Sequence, residues 1–144
     1  MRILIFGTIL ALLSACGDPL VMLPGGTLSG TEMAAPEQWA QVPDTVQLET
    51  NPGDPYSVNV WAAGVGSNLY VATGEEGSSW SEYMDADPKV RIRMGDSIYR
   101  LNATRVTDIA ELSAVGAAYI TKYDMDPDED WSATSIVYRL DRRP

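Results

Sequence analysis

The chain has 144 residues with 20 acidic and 10 basic side chains, a net charge of −10. It has no histidine and a single cysteine, Cys16. These counts exclude Ser-His-Asp and Cys-His catalysis, histidine-held zinc or haem, and any intrachain disulfide; the acidic balance speaks against a nucleic-acid partner.

Arg2 opens the chain, and an apolar run follows over residues 3–13, broken only by Gly7 and Thr8. Small residues Ser14 and Ala15 precede Cys16. The run is too short for a permanent membrane span, and its order is that of a secretory signal. The sequence Leu13-Ser-Ala-Cys16-Gly17 resembles the lipobox of bacterial lipoproteins. The resemblance implies removal of residues 1–15 and acylation of Cys16, palmitate included. Two or more chains give stable anchoring to a membrane. Gly17, in place of Asp, implies export to the periplasmic side of the outer membrane. Losing Arg2 leaves nine basic and 20 acidic residues, a net charge of −11.

Residues 16–38 are rich in Gly, Pro, Ser and Thr and read as a tether or an ordered loop without regular structure. One domain is expected over residues 39–144, with Trp39 where packing begins. Residues 45–50 alternate, with Val46 and Leu48 on one face. Asn51-Pro-Gly-Asp-Pro55 is a turn. A strand over 57–62 sets Val58 and Val60 against Ser57, Asn59 and Trp61. Gly64-Val-Gly-Ser-Asn68 predicts a hairpin into a strand over 69–73, where Leu69 and Val71 oppose Tyr70 and Ala72. After the loop Gly74-Glu-Glu-Gly-Ser78, Ser79 is the expected cap of a short helix over 79–85 carrying Trp80, Tyr83 and Met84. Asp87-Pro88 ends it. Lys89–Met94 alternates cleanly, Val90, Ile92 and Met94 against Lys89, Arg91 and Arg93. The alternation turns the arginines toward solvent or a partner subunit. Gly95-Asp96 turns into a strand over 97–106. Asp108 and Glu111 start a longer helix with an apolar stripe of Ile109, Leu112, Val115, Tyr119 and Tyr123. An acidic loop, 124–130, leads to a last strand over 132–140. The loop has oxygen ligands at alternate positions, but Glu129 and Ser135 stand where a calcium loop needs Gly and Glu, so a solvated connection is expected there. The whole reads as mainly β, a small antiparallel barrel with one short and one longer helix.

Residues 44–107 resemble the FMN-binding split-barrel group, which includes pyridoxamine 5′-phosphate oxidase-like proteins and deazaflavin-dependent nitroreductases. The carrying stretches are Tyr56-Ser-Val-Asn-Val-Trp61, Leu69-Tyr-Val-Ala-Thr73, Trp80-Ser-Glu-Tyr-Met84 and Asp85-Ala-Asp-Pro-Lys-Val-Arg-Ile-Arg-Met-Gly95. The resemblance implies a split barrel, a homodimer with pockets at its interface, and FMN as cofactor. Thr73, Ser78 and Ser79 are then the hydrogen-bond donors for a phosphate and Trp80 the group's tryptophan, while Asn59 and Trp61, which share a strand face, are the expected wall of a pocket for a ring-bearing ligand. A phosphate needs positive charge or convergent N–H donors, yet Glu75 and Glu76 occupy that loop. Carboxylate pairs Glu75/Glu76 and Asp85/Asp87 are the remaining acid–base candidates, with solvated loop charge the expected role. A non-enzymatic ligand- or partner-binding module at the membrane is therefore expected ahead of an FMN-dependent oxidoreductase.

Overall fold

A computed structural model describes residues 18–19 and 23–144. Cys16 and the apolar leader lie outside the described residues. The elements are β1 (Thr31–Met33), β2 (Thr45–Thr50), β3 (Tyr56–Val65), β4 (Asn68–Gly74), α1 (Ser79–Ala86), β5 (Lys89–Met94), β6 (Ser97–Arg105), α2 (Ile109–Tyr123) and β7 (Ser135–Arg142). A single 3₁₀ turn, Trp131–Thr134, precedes β7.

Six strands close an antiparallel barrel in the order β6-β5-β2-β3-β4-β7, with β7 returning to β6. Strand β6 makes closure possible by dividing its free edge. Residues 97–99 take β1 in parallel, and residues 101–105 take β7. The tight hairpins between β3 and β4 and between β5 and β6 need a positive φ, supplied by Gly66 and Gly95 at 59° each.

Alternation decides what each strand contributes. Val46, Leu48, Val60, Ala62, Leu69, Val71, Val90, Ile92, Leu101, Tyr138 and Leu140 fill the interior. Helix α1 adds Trp80 and Met84 to the same core, near the start of β3, where Tyr56 meets Tyr83. Trp39 packs at the other end of β3, its N–H donating to the Gly66 carbonyl and its ring meeting Tyr99 edge-on. The opposite faces of β3, β4 and β7 carry Ala63, Tyr70 and Val137, which form a second core with Val115 and Tyr119 of α2. Lys122 clips that helix down by donating to the carbonyls of Val42, Pro43 and Ala62.

Four sequence expectations shift. Part of the 16–38 stretch enters the sheet: β1 pairs with β6, Gly25 bridges Ser57, and Leu28 is buried. Its backbone is gripped by an ion pair, with Leu28 N–H donating to Glu49 and Arg91 donating to the Leu28 carbonyl. Ser78, not Ser79, caps α1, because its hydroxyl and that of Ser81 satisfy each other's backbone N–H in a capping box. Ile109 is 83% exposed, since the first turn of α2 overhangs the sheet and only Val115, Gly116 and Tyr119 are fully buried. The last strand begins at Ser135 rather than 132 because Asp130 caps the 3₁₀ turn through the Ala133 N–H, and it runs on to Arg142.

Candidate functional site

Three strands, two helices and the 3₁₀ turn converge on a cleft of about 410 Å³. Strand β3 supplies Asn59 and Trp61, and β4 supplies Thr73. Trp80 comes from α1, Tyr119 from α2, and Trp131 from the 3₁₀ turn. Ser135 adds a hydroxyl at the start of β7. Among the described residues, no charged side chain lines it.

The rings are arranged in a row. Trp61 stacks on Tyr123 at 4.3 Å between centroids, and Trp131 stacks on Tyr119 at 4.5 Å. Tyr119 and Tyr123 are four residues apart, so one helix face presents both to the sheet. The phenols are pinned by backbone. Tyr119 OH lies 3.1 Å from the Trp61 carbonyl and 3.2 Å from that of Tyr70. Tyr123 OH accepts from the Ala62 N–H and donates to the Asp44 carbonyl. Burial raises the Tyr119 phenol well above its ordinary value, and raises Tyr123 too. Both phenols therefore stay protonated near neutrality. Trp61 is 54% exposed, so one indole face is stacked while much of the ring remains open to an entering molecule.

Of the six candidate residues, the fold brings Asn59, Trp61, Thr73 and Trp80 to this cleft and leaves Ser78 and Ser79 out of its lining. Ser78 is committed to the capping box and Ser79 opens α1. Asn59 is partly engaged, its amide donating to the Pro19 carbonyl at 3.2 Å. The carboxylate candidates have other work. Asp85 accepts from Tyr138 OH at 2.9 Å, and Asp87 accepts from the Lys89 N–H. Glu75 and Glu76 sit exposed in the turn between β4 and α1. In the acidic loop, Asp126 and Asp130 accept backbone N–H groups of residues 128 and 133. Arg91, Arg93 and Arg100 do not line the aromatic cleft; they bond Glu49, Gln47 and Glu32 on the outside of the barrel.

The sequence sets Tyr119 in helix packing and offers Trp131 only as one of four tryptophans suited either to a stacking pocket or to packing. Both reach the cleft only because α2 and the 3₁₀ turn fold back over β3 and β4. The one local signal was Asp130, a cap immediately ahead of Trp131.

No family model matches the chain, and no curated protein is significantly similar to it in sequence. Solved structures do resemble it. A Listeria innocua protein named after pyridoxamine 5′-phosphate oxidase superposes with a TM-score of 0.55 at 21% identity, over 68% of this chain and 82% of that one. An FAD-binding protein of Mesorhizobium loti gives 0.53 at 18% identity, over 72% and 83%. A conserved hypothetical protein of Mycobacterium tuberculosis gives 0.57 at 19% identity, over 71% and 74%. Identities this low speak for the fold alone, and that fold is the split β-barrel.

Proposed function

We propose that this chain is a membrane-anchored binding module whose split barrel holds a flat, ring-bearing small molecule in the aromatic cleft. One observation carries the reading: Trp61, Trp80, Trp131 and Tyr119 converge on a cleft whose lining, among the described residues, contains no charged side chain. Stacking on tryptophan and tyrosine rewards a planar ring. Asn59, Thr73 and Ser135 add the few polar contacts that orient it. A phosphate would find no basic partner in that lining, whereas Glu75 and Glu76 nearby favour a neutral or cationic ring. Anchoring is supported by the lipobox-like sequence around Cys16 and implies a periplasmic, outer-membrane setting.

Titration with riboflavin and with FMN, followed by tryptophan fluorescence, tests the reading. Riboflavin is expected to quench at least as strongly as FMN, and Trp131→Ala to abolish the quenching. Absence of binding by riboflavin and by planar cationic dyes alike overturns it. Cys16→Ala is expected to release the protein from membranes; a variant that stays with the envelope after a salt wash defeats the anchoring.

The alternative is an FMN-dependent oxidoreductase working as a homodimer, favoured by structural neighbours named for FAD binding and pyridoxamine 5′-phosphate oxidase. Stoichiometric FMN binding, much tighter than riboflavin, together with a dimer by light scattering of the 17–144 chain would support it over the first reading.

A further inference from the structure

The basic residues are distributed against the overall charge. In a chain of net charge −10, Lys89, Arg91, Arg100 and Arg143 converge on one cleft of about 330 Å³. It lies over β2, β5 and β6, beside the C-terminal residues. Glu32 and Glu49 enter the same lining, but each is engaged. Arg91 forks onto Glu49 with its closest contact at 2.6 Å, and Arg100 holds Glu32 at 2.7 Å. Lys89 and Arg143 are in surplus, since neither has an ion-pair partner among the described residues.

Arg143 is also held in place. Its Nε donates to the Leu101 carbonyl at 3.0 Å and its Nη2 to the Val90 carbonyl at 2.9 Å, so the guanidinium spans β5 and β6. These bonds use two of its five N–H donors. Burial, then repulsion from Arg100, hold it below its ordinary value, against a smaller opposing pull from Asp87. A guanidinium fixed by carbonyls, crowded by cations and lacking a carboxylate is suited to an anion with several oxygens. The adjoining cleft shares Glu32, Arg100 and Arg143 and adds Arg142.

We propose that Arg143, Arg100 and Lys89 form an anion site for a phosphate-class group, separate from the aromatic cleft. Among the described residues the two clefts share no lining residue, so failure of ring binding leaves this site standing. The phosphate has two sources, a phospholipid headgroup or a free phosphate compound. The first is within reach of the anchor. Asp18 pairs with Arg93, on the same face of β5 as Arg91, and Gly17 alone separates Asp18 from Cys16, a step of at most about 7 Å.

The test is calorimetric titration of inorganic phosphate into the 17–144 chain. Saturable binding is expected, weakened roughly tenfold in Arg143→Gln and in Lys89→Gln. Arg105→Gln removes one charge outside the cleft and is expected to leave it unchanged. Lys89 is exposed, so its variant keeps the test valid if Arg143→Gln proves unstable. No saturable heat at tens of millimolar phosphate overturns the proposal, as does an equal loss in Arg105→Gln. Sedimentation with phosphatidylglycerol vesicles but not phosphatidylcholine vesicles, lost in Arg143→Gln, assigns the site to lipid. Phosphate binding without sedimentation assigns it to a soluble compound. Either result upholds the site.

Discussion

Gly64→Ala probes how the barrel is closed beside Trp39. A Cβ built on Gly64 falls 2.0 Å from the Trp39 carbonyl oxygen and 2.7 Å from the Trp39 Cβ. Ordinary contact lies near ~3.5–4.0 Å, so one backbone must move by roughly 1–1.5 Å. Neither atom belongs to the flexible end of a side chain, so a rotamer change gives no relief. If β3 and the Trp39 segment share the strain, the cost is that of overpacking, about 1–3 kcal/mol. If the segment lifts away, the buried indole is exposed. With ~200 Å² at ~25 cal/mol per Å², that loss approaches about 5 kcal/mol. An intermediate loss of about 3 kcal/mol is a large part of the ~5–15 kcal/mol that holds a domain of this size. Guanidinium denaturation of the 17–144 chain, read by circular dichroism and tryptophan emission, measures it. The same substitution in a Trp39→Ala background is expected to cost far less, because the segment is then free to yield. A Gly64→Ala protein with an unchanged midpoint and unchanged emission would refute this account of the Trp39–Gly64 contact.

Glu49 is 7% exposed and accepts from both Leu28 N–H and Arg91. Glu49→Ala leaves both donors unpaired and is expected to cost about 3 kcal/mol and to raise hydrogen exchange across residues 25–33. Replacing Glu49 and Arg91 together by Leu and Met is expected to cost less than the two single changes summed. Burial first, with Glu111 and Asp85 next, pushes the Tyr70 and Tyr138 phenols up to about 12. A phenol raised in the folded state adds stability fully below its unfolded value near ~10 and loses it as pH climbs toward the folded value. Denaturation midpoints are therefore expected to fall between about pH 10 and pH 12, less steeply in Tyr138→Phe; a flat profile would contradict this. Asp108→Ala removes the cap of α2, where Asp108 accepts the Glu111 N–H at 2.8 Å, and should lower stability by about 1 kcal/mol in thermal melts, with Asp108→Asn recovering most of it.

Local chemistry made most of the barrel legible. The period-two runs at Val46/Leu48 and Val90/Ile92 specify which face is buried whatever lies opposite, because a one-residue slip would turn every apolar side chain to water. Gly66 and Gly95 mark turns that need a positive φ. Asp108 and Asp87-Pro88 mark helix ends from within a few residues. Where several residues compete for one role, the local signal weakens. Ser78 and Ser79 are both good caps, and Ser81 decided between them by returning a hydroxyl to the Ser78 N–H. Residues 25–33 have no periodicity, and they are ordered by Glu49, Arg91 and the free edge of β6, all contributed from elsewhere in the chain.

By itself the sequence determined the strand faces, the turns, the start of α2, the absence of histidine chemistry and the lipobox-like start. Tertiary structure decided which rings share a cleft and which charges share another. Asn59 and Trp61 are bound to one strand face by alternation, but Tyr119 and Trp131 join them from more than fifty residues away. Lys89 and Arg143 likewise meet only after β7 closes the barrel against β6. Periodicity reports on neighbours along the chain; barrel closure and the docking of α2 bring together residues whose separation leaves no local trace.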